Sequence, residues 1–326
     1  MTITVLVPTY RRPDNLKRCL EALRWQIRVP DEVLVVVRSS DAETRSLLSG
    51  LDRGSLQLRV VKTTNPGVVA AMSAGLEVAQ GDVIAITDDD AVPHSDWLTR
   101  IEAYFSTYPE LAGVGGRDLI YHGEQLEDGA REVVGKVQWF GRVIGNHHLG
   151  IGKPRDVDEL KGVNCAYRRA VLQRIGFDGR LRGTGAQVHW ELSLDLRLKS
   201  MGWKLIYDPT IVVDHYVGPR FGEDQRYSVN FDTKAMTDAV HNETLVLLEH
   251  LPPVQRLLFV VWATVIGTRA APGLVQWLRF LPREGRLSGK KLRAALKGRF
   301  EGWRTWAAHG GSWLKVWVEP PMAALE

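Results

Sequence analysis

Three consecutive aspartates, Asp88, Asp89 and Asp90, directly follow the apolar run 83–87, Val-Ile-Ala-Ile-Thr. The run is typical of a buried strand. Carboxylates at the end of such a strand are unfavourable unless a cation neutralises them. Their hard oxygen atoms suit Mg²⁺ or Mn²⁺ that is shared with substrate phosphates. The alternative is an acidic run at a helix N-terminus, where the helix dipole favours negative charge.

A second candidate group is Glu191, near the start of a predicted helix over 189–201 that follows a loop containing Gly183. The neighbouring indole of Trp190 would partly desolvate Glu191, and a carboxylate in that position can accept a proton from a sugar hydroxyl. A solvated carboxylate in the first helical turn is the alternative. Asp195 lies one turn further along, and we expect it to be structural.

The third candidate is His215, which the pattern of the segment 211–217 places just past the end of a strand. A lone histidine of this kind is more often an ordinary surface or core residue than a metal ligand. His94, His122, His147 and His148 have no metal-ligand spacing. We therefore assign no site to those four.

Strands and helices are predicted to alternate through the first ninety residues, and they must position these groups. The predicted strands are 2–8, 31–37, 56–62 and 83–87, and the predicted helices are 14–26, 42–51 and 66–79. Continuous apolar strands alternating with helices indicate an α/β fold with a mostly parallel sheet covered by helices on both faces. Ligands bind at the carboxyl ends of the strands in such sheets. Pro8, Thr9, Tyr10, Arg38 and the three aspartates should therefore share one edge.

The rest of the chain has a less regular pattern. A helix is predicted over 93–108, a strand from 113, an irregular excursion over 118–160 and a helix ending at 175. Short strands at 203–207 and 211–213 follow the helix that contains Glu191, and the chain is predicted to be helical beyond about residue 222.

The composition is that of a globular protein, with 44% hydrophobic and 25% charged residues among 326. The two cysteines, Cys19 and Cys165, cannot form a disulfide framework. The N-terminus has no basic segment and its apolar run is too short for a signal peptide. We therefore expect the protein in the cytoplasm.

Charge is distributed unevenly. Residues 251–305 contain eleven Lys and Arg against two Glu, although the whole chain has a net charge of +4. Six of the eleven tryptophans also lie beyond residue 250. A basic, aromatic segment of this kind suggests contact with something anionic.

Two apolar runs lie in this segment, the uncharged stretch 257–268 and the stretch 270–278, which contains Pro272. Each is too short to span a bilayer. One interpretation is a buried helical hairpin packed on the preceding α/β part of the chain. The other is a peripheral membrane surface on the inner face of the cell membrane, formed by 251–305. The flanking basic residues are Arg279, Arg283, Arg286, Lys290, Lys291, Arg293, Lys297 and Arg299.

Taken together, the motifs resemble the family 2 glycosyltransferases of the GT-A fold over about residues 3–220. The matching segments begin at Val5 (VLVPTYRR), Asn65 (NPGVVAAMSAGL), Asp88 (DDD), Asp96 (DWL), Gly162 (GVNCAYRR), His189 (HWE) and Lys199 (KSMGWKL). The resemblance implies a GT-A domain over 1–222, with a nucleotide-sugar-binding half at 1–117 and an acceptor half at 118–222. A helical extension at 223–326 would follow it.

The resemblance also implies inverting, single-displacement transfer from a nucleotide-diphosphate sugar to a glycan or lipid-linked acceptor in polysaccharide synthesis. Asp90 and His215 would hold Mg²⁺ or Mn²⁺, and Glu191 would be the catalytic base. Asp88 would contact the ribose or orient the metal, and Asp89 would take either role or orient its neighbours. The donor-binding residues implied are Pro8, Thr9, Tyr10, Arg12, Arg38, Asn65, Gly67, Asp88 and Asp89.

Two departures from the family pattern bear on this assignment. Val37 and Arg38 stand where the family's second strand usually ends in acidic residues, so Arg38 could contact the base or a phosphate instead. The family's acidic pair is reduced here to Glu191. A non-catalytic nucleotide-sugar or glycan binder of the same fold is the alternative. A sugar nucleotidyltransferase would need a glycine-rich loop near residue 10, which the sequence lacks. No nucleic-acid recognition motif occurs either, so we expect no nucleic-acid partner.

Overall fold

The computed structural model describes residues 1–218 and 231–312, which belong to two compact units. The first, here called the sheet unit, comprises Met1–Lys136, Ile144–Phe177 and Gly202–Phe221. The second, the helical unit, comprises Val137–Val143, Asp178–Met201 and Gly222–Glu326. The functional domain limits given above stay a prediction, but the segment that contains Glu191 belongs to the helical unit rather than to the sheet.

The described strands are β1 (Ile3–Thr9), β2 (Glu32–Arg38), β3 (Leu58–Thr63), β4 (Val83–Ile86), β5 (Ala91–Pro93), β6 (Leu111–His122), β7 (Gln125–Leu126), β8 (Lys136–Val137), β9 (Val143–Ile144), β10 (Arg155–Asp156), β11 (Cys165–Arg168) and β12 (Lys204–Tyr216). The sheet unit contains helices α1 (Pro13–Arg24), α2 (Ala42–Gly50), α3 (Val68–Val78), α4 (Trp97–Thr107) and α5 (Arg169–Ile175). The helical unit contains α6 (Trp190–Ser200), α7 (Thr233–His250), α8 (Pro253–Val265), α9 (Leu274–Glu284) and α10 (Arg286–Ala308). Two short 3₁₀ turns lie at His147–Leu149 and Gly162–Asn164.

The main sheet has the strand order β10-β12-β6-β11-β4-β1-β2-β3. Strands β3, β2, β1 and β4 are parallel, as the alternation of strands and helices predicts. Strand β11 lies antiparallel between β4 and β6, while β6 and β12 are parallel to each other. The fold is therefore α/β with a mixed central sheet, and the antiparallel insertion is a feature that the sequence pattern did not predict.

The parallel half of the sheet is built from valine- and isoleucine-rich strands. Every residue of β1 is buried, as are all but the last of β2, which explains their continuous apolar sequence. Thr9 is paired with Val37, and Arg38 with Thr63, so the carboxyl ends of β1, β2 and β3 meet at one edge. The predicted common edge is thus present.

The Gly-x-Asn segment supplies a buried tie between elements. Asn164 is fully buried, accepts a hydrogen bond from the indole nitrogen of Trp97 at 2.8 Å, and donates to the carbonyls of Arg117 and Ile211 at 3.0 and 2.9 Å. These bonds join α4, β6 and β12. A buried amide must have hydrogen-bond partners, and Asn164 finds them on three different elements. The motif therefore holds together the strands that carry the candidate site.

Within the helical unit, α7 and α10 pack closely together. A Cβ atom at Gly298 would lie 2.5 Å from the carbonyl oxygen of Thr237, and one at Gly302 would lie 2.6 Å from that of His241. The two glycines therefore permit a backbone approach that larger residues would prevent. Helical structure in this part of the chain agrees with the sequence pattern.

Both cysteines are free and buried. Cys19 lies on the inner face of α1, and Cys165 begins β11. Burial raises the pKa of the Cys19 thiol well above its ordinary value. The two residues act as small apolar core residues.

Candidate active site

The three aspartates follow β4 at the carboxyl edge of the sheet. Asp89 and Asp90 are buried and Asp88 is half-buried. The hydroxyl of Thr9 donates to Asp89 Oδ2 at 2.7 Å. The guanidinium of Arg12 joins the two buried carboxylates, with Nη2 2.8 Å from Asp89 Oδ1 and Nη1 2.6 Å from Asp90 Oδ2. The structure therefore brings together four of the predicted site residues, and Arg12 neutralises part of their charge.

Asp88, Asp90 and His215 form a group that could hold a metal ion. One ligand atom from each residue lies within 4.8 Å of the other two. Two carboxylate oxygens and one imidazole nitrogen are donors that Mn²⁺ and Mg²⁺ accept. The set therefore fits a divalent cation, and it adds Asp88 to the ligands predicted from the sequence.

His215 lies inside β12, one residue from its end, rather than past the strand as expected. It pairs with Ala91 of β5 on one side and Ile120 of β6 on the other. The backbone reinforces this arrangement, because Tyr216 N donates to Asp90 O at 2.9 Å and Gly218 N donates to Asp90 Oδ2 at 3.0 Å. Backbone pairing thus fixes the imidazole beside the aspartates.

The second nitrogen of His215 faces a residue that sequence reasoning missed. Its Nδ1 lies 3.5 Å from Oδ2 of the fully buried Asp118, while Nε2 lies 3.4 Å from Asp90 Oδ1. Lys161 Nζ is 2.5 Å from the same oxygen of Asp118. An acidic residue following the buried run that opens strand β6 was the available signal. It was overlooked because the segment from 118 was predicted to be irregular.

Burial and charge pairing set the ionisation of this cluster. Burial raises the pKa of Asp89 to about 7, against the opposing effect of Arg12. Burial favours the neutral form of Asp90 too, but the hydrogen bond from His215 and the charge of Arg12 outweigh it and hold its pKa well below the usual range. For His215, burial is outweighed by Asp118 and Asp90, which raise its pKa to about 9. The site is therefore an interlocked set of charges.

The predicted donor-facing residues lie along the same edge. Pro8 and Thr9 end β1, and the guanidinium of Arg38 lies 4.1 Å from the ring centroid of Tyr10. Arg38 thus replaces the acidic residue of the family pattern by a cation stacked on an aromatic ring. Asn65 is exposed, and it lies between the end of β3 and the start of α3.

Gly67 immediately precedes α3. Its φ of +102° lies in a region that favours glycine. The backbone conformation at this turn accounts for the glycine of the Asn-x-Gly segment. Contact of Asn65 or Gly67 with a donor stays a prediction.

Glu191 belongs to the helical unit, in the first turn of α6. It is half-buried and Trp190 beside it is buried. His189, at the N-cap, has a φ of +73°, and Gln187 has a φ of +42°. Two non-glycine residues with positive φ just ahead of a carboxylate mark a backbone that its surroundings hold in place. The helix predicted here is present, whereas the role of Glu191 as a base stays a prediction.

Asn242 on α7 holds that backbone, and sequence reasoning missed it. Its fully buried amide donates to the carbonyls of Arg182 and Val188, both at 3.0 Å, and accepts from Arg182 N at 2.8 Å. His241 Nδ1 donates to the same amide oxygen at 2.9 Å. The hydroxyl of Thr305 lies 2.8 Å from the other ring nitrogen of His241. The C-terminal helices therefore fix the loop that leads into Glu191.

Comparison with known proteins agrees with this fold. Residues 4–176 match the family described as "Glycosyl transferase family 2". The glucosyl-dolichyl phosphate glucuronosyltransferase of Haloferax volcanii is 26% identical over 228 residues, which cover 66% of this chain and 69% of the relative. The O-antigen chain rhamnosyltransferase RfbN of Salmonella typhimurium is 26% identical over 247 residues, covering 72% and 71%.

Among solved structures, the mannosyltransferase PcManGT from Pyrobaculum calidifontis, in complex with GDP-Man and Mn²⁺, superposes with a TM-score of 0.51. That likeness covers 95% of this chain and 88% of the other at 17% identity, so it bears on the fold alone. The family match runs from β1 through the helix that follows β11, and so includes the three aspartates and most of the sheet edge that positions them. The chain therefore belongs to glycosyl transferase family 2, and it is a glycosyltransferase of the GT-A fold.

Proposed function

We propose that the protein carries out metal-dependent, inverting transfer of a sugar from a nucleotide-diphosphate donor to a hydroxyl group of a glycan or lipid-linked glycan. The observation that carries the proposal is the group Asp88, Asp90 and His215, whose ligand atoms lie within 4.8 Å of one another. Mn²⁺ and GDP-Man in the solved PcManGT complex are consistent with this group serving a cation and a donor diphosphate.

In this proposal Asp90 and His215 hold the cation, with Asp88 as a third ligand or a contact to the ribose. A bound Mg²⁺ or Mn²⁺ would offset the negative charge that grows on the departing diphosphate. Asp89, held by Thr9 and Arg12, orients its neighbours rather than binding metal. This division follows from burial, because Asp89 is fully buried and its oxygens are already engaged.

The chain's own residues supply the remaining functions. Pro8, Thr9, Tyr10, Arg12, Arg38, Asn65 and Gly67 are assigned to the donor. Glu191 accepts the proton of the acceptor hydroxyl as that oxygen attacks the anomeric carbon from the face opposite the diphosphate. General base catalysis by a carboxylate in this way contributes roughly 10²–10⁴-fold to a rate.

We assign the acceptor to a lipid-linked glycan at the inner face of the cell membrane. One relative is by its name a glucosyl-dolichyl phosphate glucuronosyltransferase, and residues 251–305 carry eleven Lys and Arg against two Glu. Arg256 and Arg299 are buried, and the remaining cations form a basic surface that favours approach to an anionic leaflet. The sugar and the nucleotide base are then chosen by the donor edge, where Arg38 stands in place of an acidic residue.

The test is a thermal-shift screen of nucleoside diphosphates and their sugars, with and without Mn²⁺, followed by donor turnover. A donor present at about 100 times its Kd stabilises the folded state by about 2.7 kcal/mol. We expect one nucleotide to stabilise the protein only when Mn²⁺ is present. In Asp90→Asn that shift should vanish, and turnover should fall roughly a thousandfold, as several kcal/mol of lost charge stabilisation requires.

The matched control is Asp14→Asn, an exposed aspartate in the first turn of α1. It should behave as wild type. Unchanged turnover of Asp90→Asn would contradict the metal assignment. Cation-dependent binding of a donor without transfer or hydrolysis would instead support the alternative, a non-catalytic nucleotide-sugar binder.

A further inference from the structure

Helices α8 and α9, with the residue after α8, leave a set of large apolar side chains exposed. We call this set the apolar face. Its members are Val254, Leu257, Val261, Val265, Ile266, Leu274, Val275, Leu278 and Leu281. Not one residue of α9 is buried, although the helix contains leucine, valine, tryptophan and phenylalanine. An ordinary surface helix buries its apolar stripe and exposes its polar one. The exposed apolar side chains of α8 and α9 therefore indicate a surface that a binding partner covers.

Spacing along α8 shows that the exposure is organised. Val254, Leu257, Val261 and Val265 are separated by three or four residues and therefore share one side of the helix. The buried residues of α8 are Arg256, Phe259 and Ala263. These lie on the opposite side, where they anchor the helix to its own unit. The outward side of α8 carries no charged residue from Leu257 onward.

A tight turn joins the two helices into one hairpin. Gly267 and Pro272 form an antiparallel bridge, and Gly273 N donates to Ile266 O at 3.1 Å. A Cβ atom on Gly267 would lie 2.3 Å from Gly273 N, so this approach requires glycine. Members of the apolar face therefore flank the turn on both arms of the hairpin.

Exposed cations lie on the same hairpin as these apolar residues. Arg269 lies in the turn, and Arg279 and Arg283 share the side of α9 that is roughly opposite the side carrying Leu274, Leu278 and Leu281. Exposed basic residues continue in α10 with Arg286, Lys290 and Arg293. The one acidic residue of α9, Glu284, is 2.7 Å from Lys291. The surface therefore combines exposed leucine and valine with positive charge.

We propose that the apolar face of α8 and α9 lies in the interfacial layer of an anionic lipid bilayer, with the exposed arginines of the hairpin directed to the headgroups. Within the described residues no helix has both the length and the hydropathy needed to cross a membrane. A helix in the plane of the interface is the arrangement that apolar and basic sides on the same short helices favour. The cations select anionic lipid over another apolar surface.

This inference rests on the proposed function in one respect: docking would bring the protein to the membrane that holds the lipid-linked acceptor. The docking itself follows from α8 and α9 and stands or fails independently of the transfer reaction. A docked protein with no transferase activity, or an active protein that does not dock, would separate the two proposals.

Flotation of full-length protein with phosphatidylcholine vesicles, with and without phosphatidylglycerol, tests the docking. We expect wild type to float only with the anionic vesicles at low salt. The variant Leu257→Gln/Val261→Gln/Leu278→Gln should stay at the bottom of the gradient. The matched control Trp25→Gln/Ile27→Gln/Val29→Gln, which changes exposed apolar residues of the sheet unit, should float.

Charge reversal separates lipid selectivity from apolar insertion. Each cation near an anionic surface contributes about 1 kcal/mol, so Arg279→Glu/Arg283→Glu should partition at least about 30-fold more weakly. Reversal of two exposed cations of the sheet unit, Lys17→Glu/Arg53→Glu, should change partition much less.

Three results would overturn the proposal. Wild type could fail to float, or the triple glutamine variant could float as wild type does. Gel filtration could also show a dimer that the triple variant converts to a monomer, which would make the apolar face an interface between two copies. Donor hydrolysis should be the same in all five proteins, because none of these residues lies among the proposed site residues.

Discussion

In the sheet unit the decisive side chains are charged and buried, whereas in the helical unit the conspicuous ones are apolar and exposed. Asp90 is 5% exposed and contacts Arg12 and His215, while Leu257 on α8 is 60% exposed. The first arrangement costs desolvation energy, which its charge pairs offset. The second exposes apolar surface to water. Each cost points to a proposed function. In the sheet unit that function is catalysis, and in the helical unit it is docking to a membrane.

Glu191 is the residue that can break this division, because it is a proposed catalytic group in the helical unit. Glu191→Gln keeps the shape and removes the proton-accepting charge, so kcat should fall by roughly 10²–10⁴-fold. Donor Kd, measured by calorimetry, should hardly change. A collapse of donor affinity would make Glu191 a binding residue. A normal rate would shift attention to Asp195, which is fully buried in α6.

Asn242 tests whether the helical unit contributes to catalysis through α7 as well as to membrane docking. Asn242→Ala removes the three bonds to Arg182 and Val188, so the loop before Glu191 should shift. A displacement of about 1 Å at a catalytic group can cost about 10²-fold. We expect that loss in kcat, with little change in the KM for the donor, at temperatures well below unfolding.

The control for Asn242 is Thr244→Val on the same helix. Thr244 is buried and bonds only within α7, through its hydroxyl to Val240 O at 2.7 Å. It should lose stability without losing turnover. Equal loss of kcat in both variants would show that α7 acts through stability alone.

Substitution of Asp118 tests whether its contact with His215 contributes to metal binding in the sheet unit. Asp118→Asn weakens the group that orients His215 and leaves Lys161 without its carboxylate. Loss of such an orienting partner typically lowers metal affinity 10–100-fold. Calorimetric titration with Mn²⁺ in the absence of donor measures this directly.

Asp208→Asn is the matched control for Asp118, since Asp208 is a buried acid of β12 that bonds Tyr104 and Thr210. Its Mn²⁺ affinity should equal that of wild type. Full Mn²⁺ affinity in Asp118→Asn would show that the contact with His215 has no positioning role.

Arg38 should give the smallest effect. Its stacking on Tyr10 is a cation–π contact of about 0.5–1 kcal/mol, which converts to about a two- to fivefold weaker Kd for the nucleoside diphosphate in Arg38→Ala. Arg38→Lys keeps the charge but loses the planar group, so its Kd should lie between those of wild type and Arg38→Ala. Tighter nucleotide binding by Arg38→Ala would show that Arg38 obstructs the donor.

The sequence was informative where burial is complete. The valine-rich runs of β1 and β2, the common edge at Thr9 and Arg38, and the aspartates after β4 all follow from local pattern. The direction of β11 does not, because its short Cys-Ala-Tyr-Arg sequence can pair with either a parallel or an antiparallel neighbour. Residues 203–207 and 211–213, predicted as two strands, form the single strand β12 with an irregularity between Asp208 and Val212.

Asp118 and Asn242 could not be predicted because their partners are distant in sequence. Asp118 meets Lys161 and His215 only after β6 and β12 have paired. The apolar face posed a different difficulty. Its residue spacing on α8 is that of an ordinary buried stripe, so although the sequence favoured a membrane surface it left a packed hairpin open. The exposure of those side chains is the observation on which the membrane proposal rests.

The burial of Cys19 and Cys165 has a practical consequence for the apolar face. These are the chain's only cysteines, and both thiols lie in the core. Thiol-reactive dyes should therefore leave the native folded protein unlabelled. A single substitution such as Val261→Cys or Leu278→Cys would provide one reactive position. An environment-sensitive fluorophore attached there would shift its emission to shorter wavelength when the helix enters lipid, and so would follow each docking event in real time.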